Sequence, residues 1–82
     1  MTNVRQRLIA IREKAGLTQE QACERMGLRW DTYRRFEVSL DKNYASTPNL
    51  RCAIAIRNLT ADLGDEIDPE CWIDEQDERA RS

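Results

Sequence analysis

The sequence predicts an all-α domain of four to five helices. Apolar residues recur at helical spacing along successive stretches, and strand-like alternation never persists beyond a few residues. Helix start and stop signals (capping side chains, prolines and glycines) fall between those stretches. A chain of 82 residues fits one domain with a small core. The expected division is a folded domain over 1–73 and an acidic, frayed tail over 74–82.

Val4, Leu8, Ile11 and Ala15 share one face of a first helix, which Gly16 stops with a left-handed cap. Thr18 is the natural N-cap of a second helix, and Gln21 three residues later completes a capping box. Ala22, Cys23 and Met26 form its inner face, and Gly27 supplies the freedom for a tight turn. A third helix starts near Arg29 or Trp30. Tyr33, Phe36 and Leu40 keep helical register, so it is expected to run to Leu40. A polar loop over 41–46 follows. Thr47 and Pro48 read as cap and first residue of a fourth helix. Cys52, Ile56, Leu59 and Leu63 share its face, Leu50 and Ala53 flank it, and Gly64 ends it. Asp68-Pro69 opens a short fifth segment carrying Trp72 and Ile73.

The net charge of −2 hides a split. Residues 1–57 hold eleven Lys or Arg against six Asp or Glu, whereas 58–82 hold two Arg against nine acids. A basic body with an acidic tail suits a nucleic-acid binder that keeps its field local. With no histidine and no Cys-x-x-Cys pair, neither a metal site nor another cofactor is expected. Cys23, Cys52 and Cys71 occupy apolar helical positions and are expected to be buried, reduced thiols. No apolar run is long enough for a membrane span, and no secretory leader is read at the N-terminus. A cytoplasmic protein, nucleoid-associated when bound to DNA, is expected. Without a Gly-rich phosphate loop or a nucleophile–base pair, enzymatic activity is not expected.

The stretch from Gly16 to Glu37 is the most informative. Two short helices joined at Gly27 form a helix-turn-helix, a unit that offers its second helix to the major groove of DNA. Arg12, the run Gly16-Leu17-Thr18-Gln19-Glu20, Gly27 and Glu37 stand in a register that resembles the Cro and phage-repressor type of regulator, also called the xenobiotic-response-element-like family. The likeness covers roughly residues 4–63 and implies a lambda-repressor-like fold. The chain departs from the family pattern at four places. Ala22-Cys23 stand where Leu-Ala is usual, Arg29 replaces a small capping residue, and Val38-Ser39 replace Asn-Gly after the glutamate. The loop that follows is longer than usual. A weaker likeness is to small phage regulators of anti-CRISPR operons, some of which carry a longer Tyr- and Pro-containing loop after the recognition helix.

The resemblance implies roles for individual residues. Trp30, Asp31, Thr32 and Arg35 would face bases. Arg35 suits guanine O6 and N7, Thr32 a thymine methyl or a phosphate, and Asp31 either cytosine N4 or the orientation of Arg34 or Arg35. Trp30 would pack on a sugar or thymine methyl, or else cover the edge of the core. Gln19, Arg29, Arg34, Lys42, Asn43 and Tyr44 would grip phosphates. Arg12 and Glu37 would form a structural ion pair, and Tyr33 and Phe36 would be core. Leu63, Ile67, Trp72 and Ile73 extend an apolar surface past Gly64 and are expected to meet a second copy, with Trp72 as the anchor. The expected function is sequence-specific binding of double-stranded DNA by a homodimer, as a transcriptional repressor on a near-palindromic operator. The alternative is a protein-interaction module, antitoxin- or anti-repressor-like, that uses Trp72 and the acidic tail.

Overall fold

A computed structural model describes residues 3–38 and 42–73. The protein is a small all-α domain with no strand among the described residues. Its helices are α1 (Val4–Lys14), α2 (Gln19–Met26), α3 (Trp30–Glu37) and α4 (Leu50–Asp62). A single helical turn at 70–73, α5, closes the described chain.

Local signals set most of the boundaries. Asn3 caps α1 and Thr18 caps α2. Each side chain accepts from the backbone N–H three residues on, while the Gln at that position returns a bond to the cap N–H. These reciprocal bonds satisfy amides that a helix start otherwise leaves orphaned. Gly27 ends α2 at φ 72°, a left-handed conformation that any side chain would strain. Leu28 N–H then bonds back to the Cys23 carbonyl, so the chain reverses into α3 within three residues.

Four boundary or face expectations are corrected. Ala15 caps α1 from beyond its last residue and is exposed, so the inner face is Leu8 and Ile11 with Arg5 in place of Ala15. The third helix ends at Glu37, because Val38 turns extended at φ −79°, ψ 143°; Leu40 lies outside the described residues. The fourth helix is capped by Asn49, whose side chain accepts from Cys52 N–H at 2.9 Å. Thr47 and Pro48 therefore precede the helix, and Pro48 is buried in the approach to it. The face of α4 is also rotated from the expected one. Ala53, Ile56, Leu59 and Thr60 are buried, Cys52 and Leu63 only in part, and Leu50 is exposed.

The core gathers Leu8, Ile11, Ala22, Cys23, Tyr33, Phe36, Ala53, Ile56 and Leu59, with Ile67 and Trp72 from the segment after α4. Tyr33 and Phe36 meet edge to face with centroids 6.5 Å apart, and Phe36 meets Trp72 at 6.4 Å. Thr60 fixes the return of the chain. Its buried hydroxyl donates to the Ile56 carbonyl at 2.8 Å and accepts from Ile67 N–H at 2.9 Å. Ile67 thus enters the core without leaving its amide unpaired. All three cysteines are free thiols; Cys23 is buried, and Cys52 and Cys71 are half-buried rather than sealed.

The surface expected to meet a second copy is largely consumed by the fold. Ile67 is 0 % and Trp72 2 % exposed within one chain. A domain this small needs its largest aromatic in its own core. Trp72 therefore anchors α5 to Phe36 within one chain. Ile73 remains exposed and Leu63 partly so. The acidic tail at 74–82 lies outside the described residues.

Candidate nucleic-acid interface

Helix α3 is strongly two-sided. Tyr33, Phe36 and Glu37 are buried, while Trp30, Asp31, Thr32 and Arg35 are exposed. Spacing of three and four residues places the buried set on one stripe and leaves the other face to solvent. The helix is thereby gripped from behind from Tyr33 to its end at Glu37, while its first turn stands in solvent.

The grip has a polar component. Arg12 of α1 donates from Nε to Glu37 Oε2 at 2.8 Å and from Nη2 to Oε1 at 3.1 Å. Its Nη1 donates to the Leu17 carbonyl at 2.8 Å, so one guanidinium joins α1, the α1–α2 turn and the end of α3. Gln19, at the start of α2, donates from Nε2 to Glu37 Oε1 at 3.1 Å. The glutamine expected to reach a phosphate is therefore also a ligand of the buried carboxylate. The Arg12 side chain is 15 % exposed and that of Glu37 4 %, so the pair sits mostly out of water. The Tyr33 hydroxyl is sealed beside them with no hydrogen-bond partner among the described residues. Burial, and secondarily the Glu37 carboxylate, push the Tyr33 phenol well above its ordinary value.

On the outward side, Arg34 stacks its guanidinium over the Trp30 ring, 5.1 Å from the centroid. These residues are four apart on one helix, the spacing that brings side chains together. Arg34 is half-buried, and its Nε has no partner among the described residues. Arg29 and Asp31 approach at 3.8 Å at the exposed start of α3. No side chain caps the first turn of α3, although Asp31 places a negative charge where the helix dipole favours one.

The described part of the loop, Lys42, Asn43 and Tyr44, is exposed. Tyr44, Trp30, Arg34 and Val38 line a shallow groove of about 310 Å³ together with Ile9, Arg12, Gln19 and Glu37. The groove brings together Gln19 of α2, Trp30 and Arg34 of α3, and Tyr44 of the following loop, three separate stretches of sequence. Asp31, Thr32 and Arg35 are not among its lining residues and face away from the core.

One residue of this region escaped the sequence reading. Arg5 is 2 % exposed on the inner face of α1. Its Nη1 donates to the carbonyls of Arg35, Phe36 and Val38 at 2.8, 3.1 and 3.1 Å, and its Nη2 to the Ser46 carbonyl at 2.7 Å. Its guanidinium also lies 5.7 Å from the Trp72 ring centre. The available signal was its position three residues before Leu8, which puts a cation on the apolar stripe.

Comparison with known proteins adds no relative: no protein-family model, no curated protein and no solved structure matches the chain.

Proposed function

We propose that the protein binds double-stranded DNA sequence-specifically, through a lambda-repressor-like helix-turn-helix formed by α2 and α3. The observation that carries this reading is the division of α3. Its rear face is held by Tyr33, Phe36 and the Arg12–Glu37 pair. Its free face offers Trp30, Asp31, Thr32 and Arg35 together. A major groove about 12 Å wide admits such a helix. Arg35 is the strongest candidate reader, because its planar fork matches guanine O6 and N7. Lys42, Asn43, Arg29 and Arg34 flank that face as cations or donors suited to phosphates.

Occupancy of a promoter by this domain would block transcription, so repression is the mode proposed. Two copies would place their α3 helices in successive major grooves about 34 Å apart on a near-palindromic operator. With Ile67 and Trp72 internal, Leu63 and Ile73 retain the surface from the expected set that a second copy would cover.

Selection of bound duplexes from a random pool tests the reading. Enrichment of one motif, and relaxation of that motif at a single base pair in Arg35→Ala, are the expected results. A pool that shows no enrichment rejects it.

A further inference from the structure

A helix ends with four carbonyls that lack intrahelical partners, usually satisfied by a left-handed glycine that folds the chain back. α3 has no such glycine. Val38 leaves it in extended conformation with no backbone cap. The carbonyls of Arg35, Phe36 and Val38 instead accept from the Arg5 guanidinium, which arrives from a different helix. A cation placed there also meets the negative end of the helix dipole. The same guanidinium holds the returning chain through the Ser46 carbonyl, and Ser46 N–H donates back to Arg35 at 3.2 Å. The point where the chain leaves α3 and the point where it returns are thus tied to one side chain. The adjoining Ala45 is buried, and Tyr44 comes to rest on the groove beside Trp30 and Arg34.

We infer that Arg5 is a positioning residue for DNA recognition: it caps α3 through tertiary contact and docks the Lys42–Tyr44 loop beside the recognition face as a second phosphate-gripping element. The inference rests on the DNA-binding reading of α3. Arg5 is buried and touches no DNA itself. Its effect passes through where Lys42, Asn43 and Tyr44 stand. Lysine cannot replace it, because a single ammonium cannot serve the α3 carbonyls and Ser46 at once from a fixed planar fork.

Two measurements on Arg5→Lys and Lys42→Ala, alone and combined, decide it. The first is amide hydrogen exchange without DNA. In Arg5→Lys, exchange at Ser46 should rise by roughly tenfold or more as charge-assisted bonds are lost. Exchange at Ile67, held by Thr60, should stay as in wild type. The second is the salt dependence of binding to the selected duplex. Lys42→Ala should lower the slope by about one phosphate, and Arg5→Lys by a similar amount. The double variant should lose little more than either single one. Ser46 protection that survives Arg5→Lys overturns the inference, as does a full Lys42→Ala effect in the Arg5→Lys background. Should Arg5→Lys fail to fold, Lys42→Ala still decides, since an unchanged slope in that surface variant refutes a gripping loop. If wild type binds no duplex, the functional reading fails and the DNA half of the inference with it. The exchange experiment then decides the docking half alone.

Discussion

Arg12 and Glu37 form a two-pronged ion pair that fastens α1 to the last residue of α3. Both charges are largely out of water, so removing one strands the other. Glu37→Ala should cost about 3–5 kcal/mol. Because Gln19 also donates to Glu37, Gln19→Ala should cost a smaller amount even in the absence of DNA. Urea unfolding followed by circular dichroism measures both. A Glu37→Ala protein as stable as wild type would show that the pair does not hold the helix.

Tyr33 yields a pH prediction. Its folded-state phenol is raised by burial, with Glu37 as the second cause. In the unfolded chain the phenol ionises near pH 10. Below that pH both states keep the proton and the group adds no slope. Above it the unfolded state loses its proton while the folded state retains it, so stability falls as pH rises. Tyr33→Phe should remove this part of the alkaline loss. Denaturation series between pH 7 and 11 on the two proteins check it. Identical alkaline slopes would contradict the assignment.

Trp72 sits against Phe36 and the Arg5 guanidinium in the core of one chain. Trp72→Ala should therefore act on folding, with a loss of about 3–5 kcal/mol. Unfolding and sedimentation measurements on the same variant separate the effects. A variant that keeps its stability but loses self-association would restore Trp72 to an interface.

Trp30 is exposed and stacked by Arg34. In a Trp72→Phe background it becomes the single tryptophan. Its fluorescence should be readily quenched by iodide in the free protein and shielded once duplex DNA is bound. Undiminished quenching in the complex would place Trp30 away from the DNA.

What the sequence disclosed was local. The Thr18–Gln21 capping box and the Gly27 turn involve neighbours within a few positions, so their residue types state the geometry directly. The two faces of α3 followed from the spacing of Tyr33 and Phe36. The end of α3 was not legible, because its last carbonyls are met by Arg5, some thirty residues earlier in the chain. An arginine among apolar positions reads as surface until its carbonyl partners are known. The start of α4 lies two residues beyond the expected one, because Thr47-Pro48 and Asn49 both carry start signals and only Asn49 reaches the Cys52 amide. Trp72 was assigned outward because its partner Phe36 belongs to a distant helix. For the end of α3 and for Trp72 the deciding contact was long-range, whereas at α4 two adjacent local signals competed.

On the proposed reading, the exposed face of α3 reads duplex DNA from a basic body. Fluorescence anisotropy titration of the selected duplex at several salt concentrations tests it most directly. The logarithm of affinity should fall linearly with the logarithm of salt, at roughly −0.9 per phosphate neutralised. A scrambled duplex should bind more weakly at every salt concentration. Affinity that is flat with salt, or equal for the two duplexes, contradicts the account.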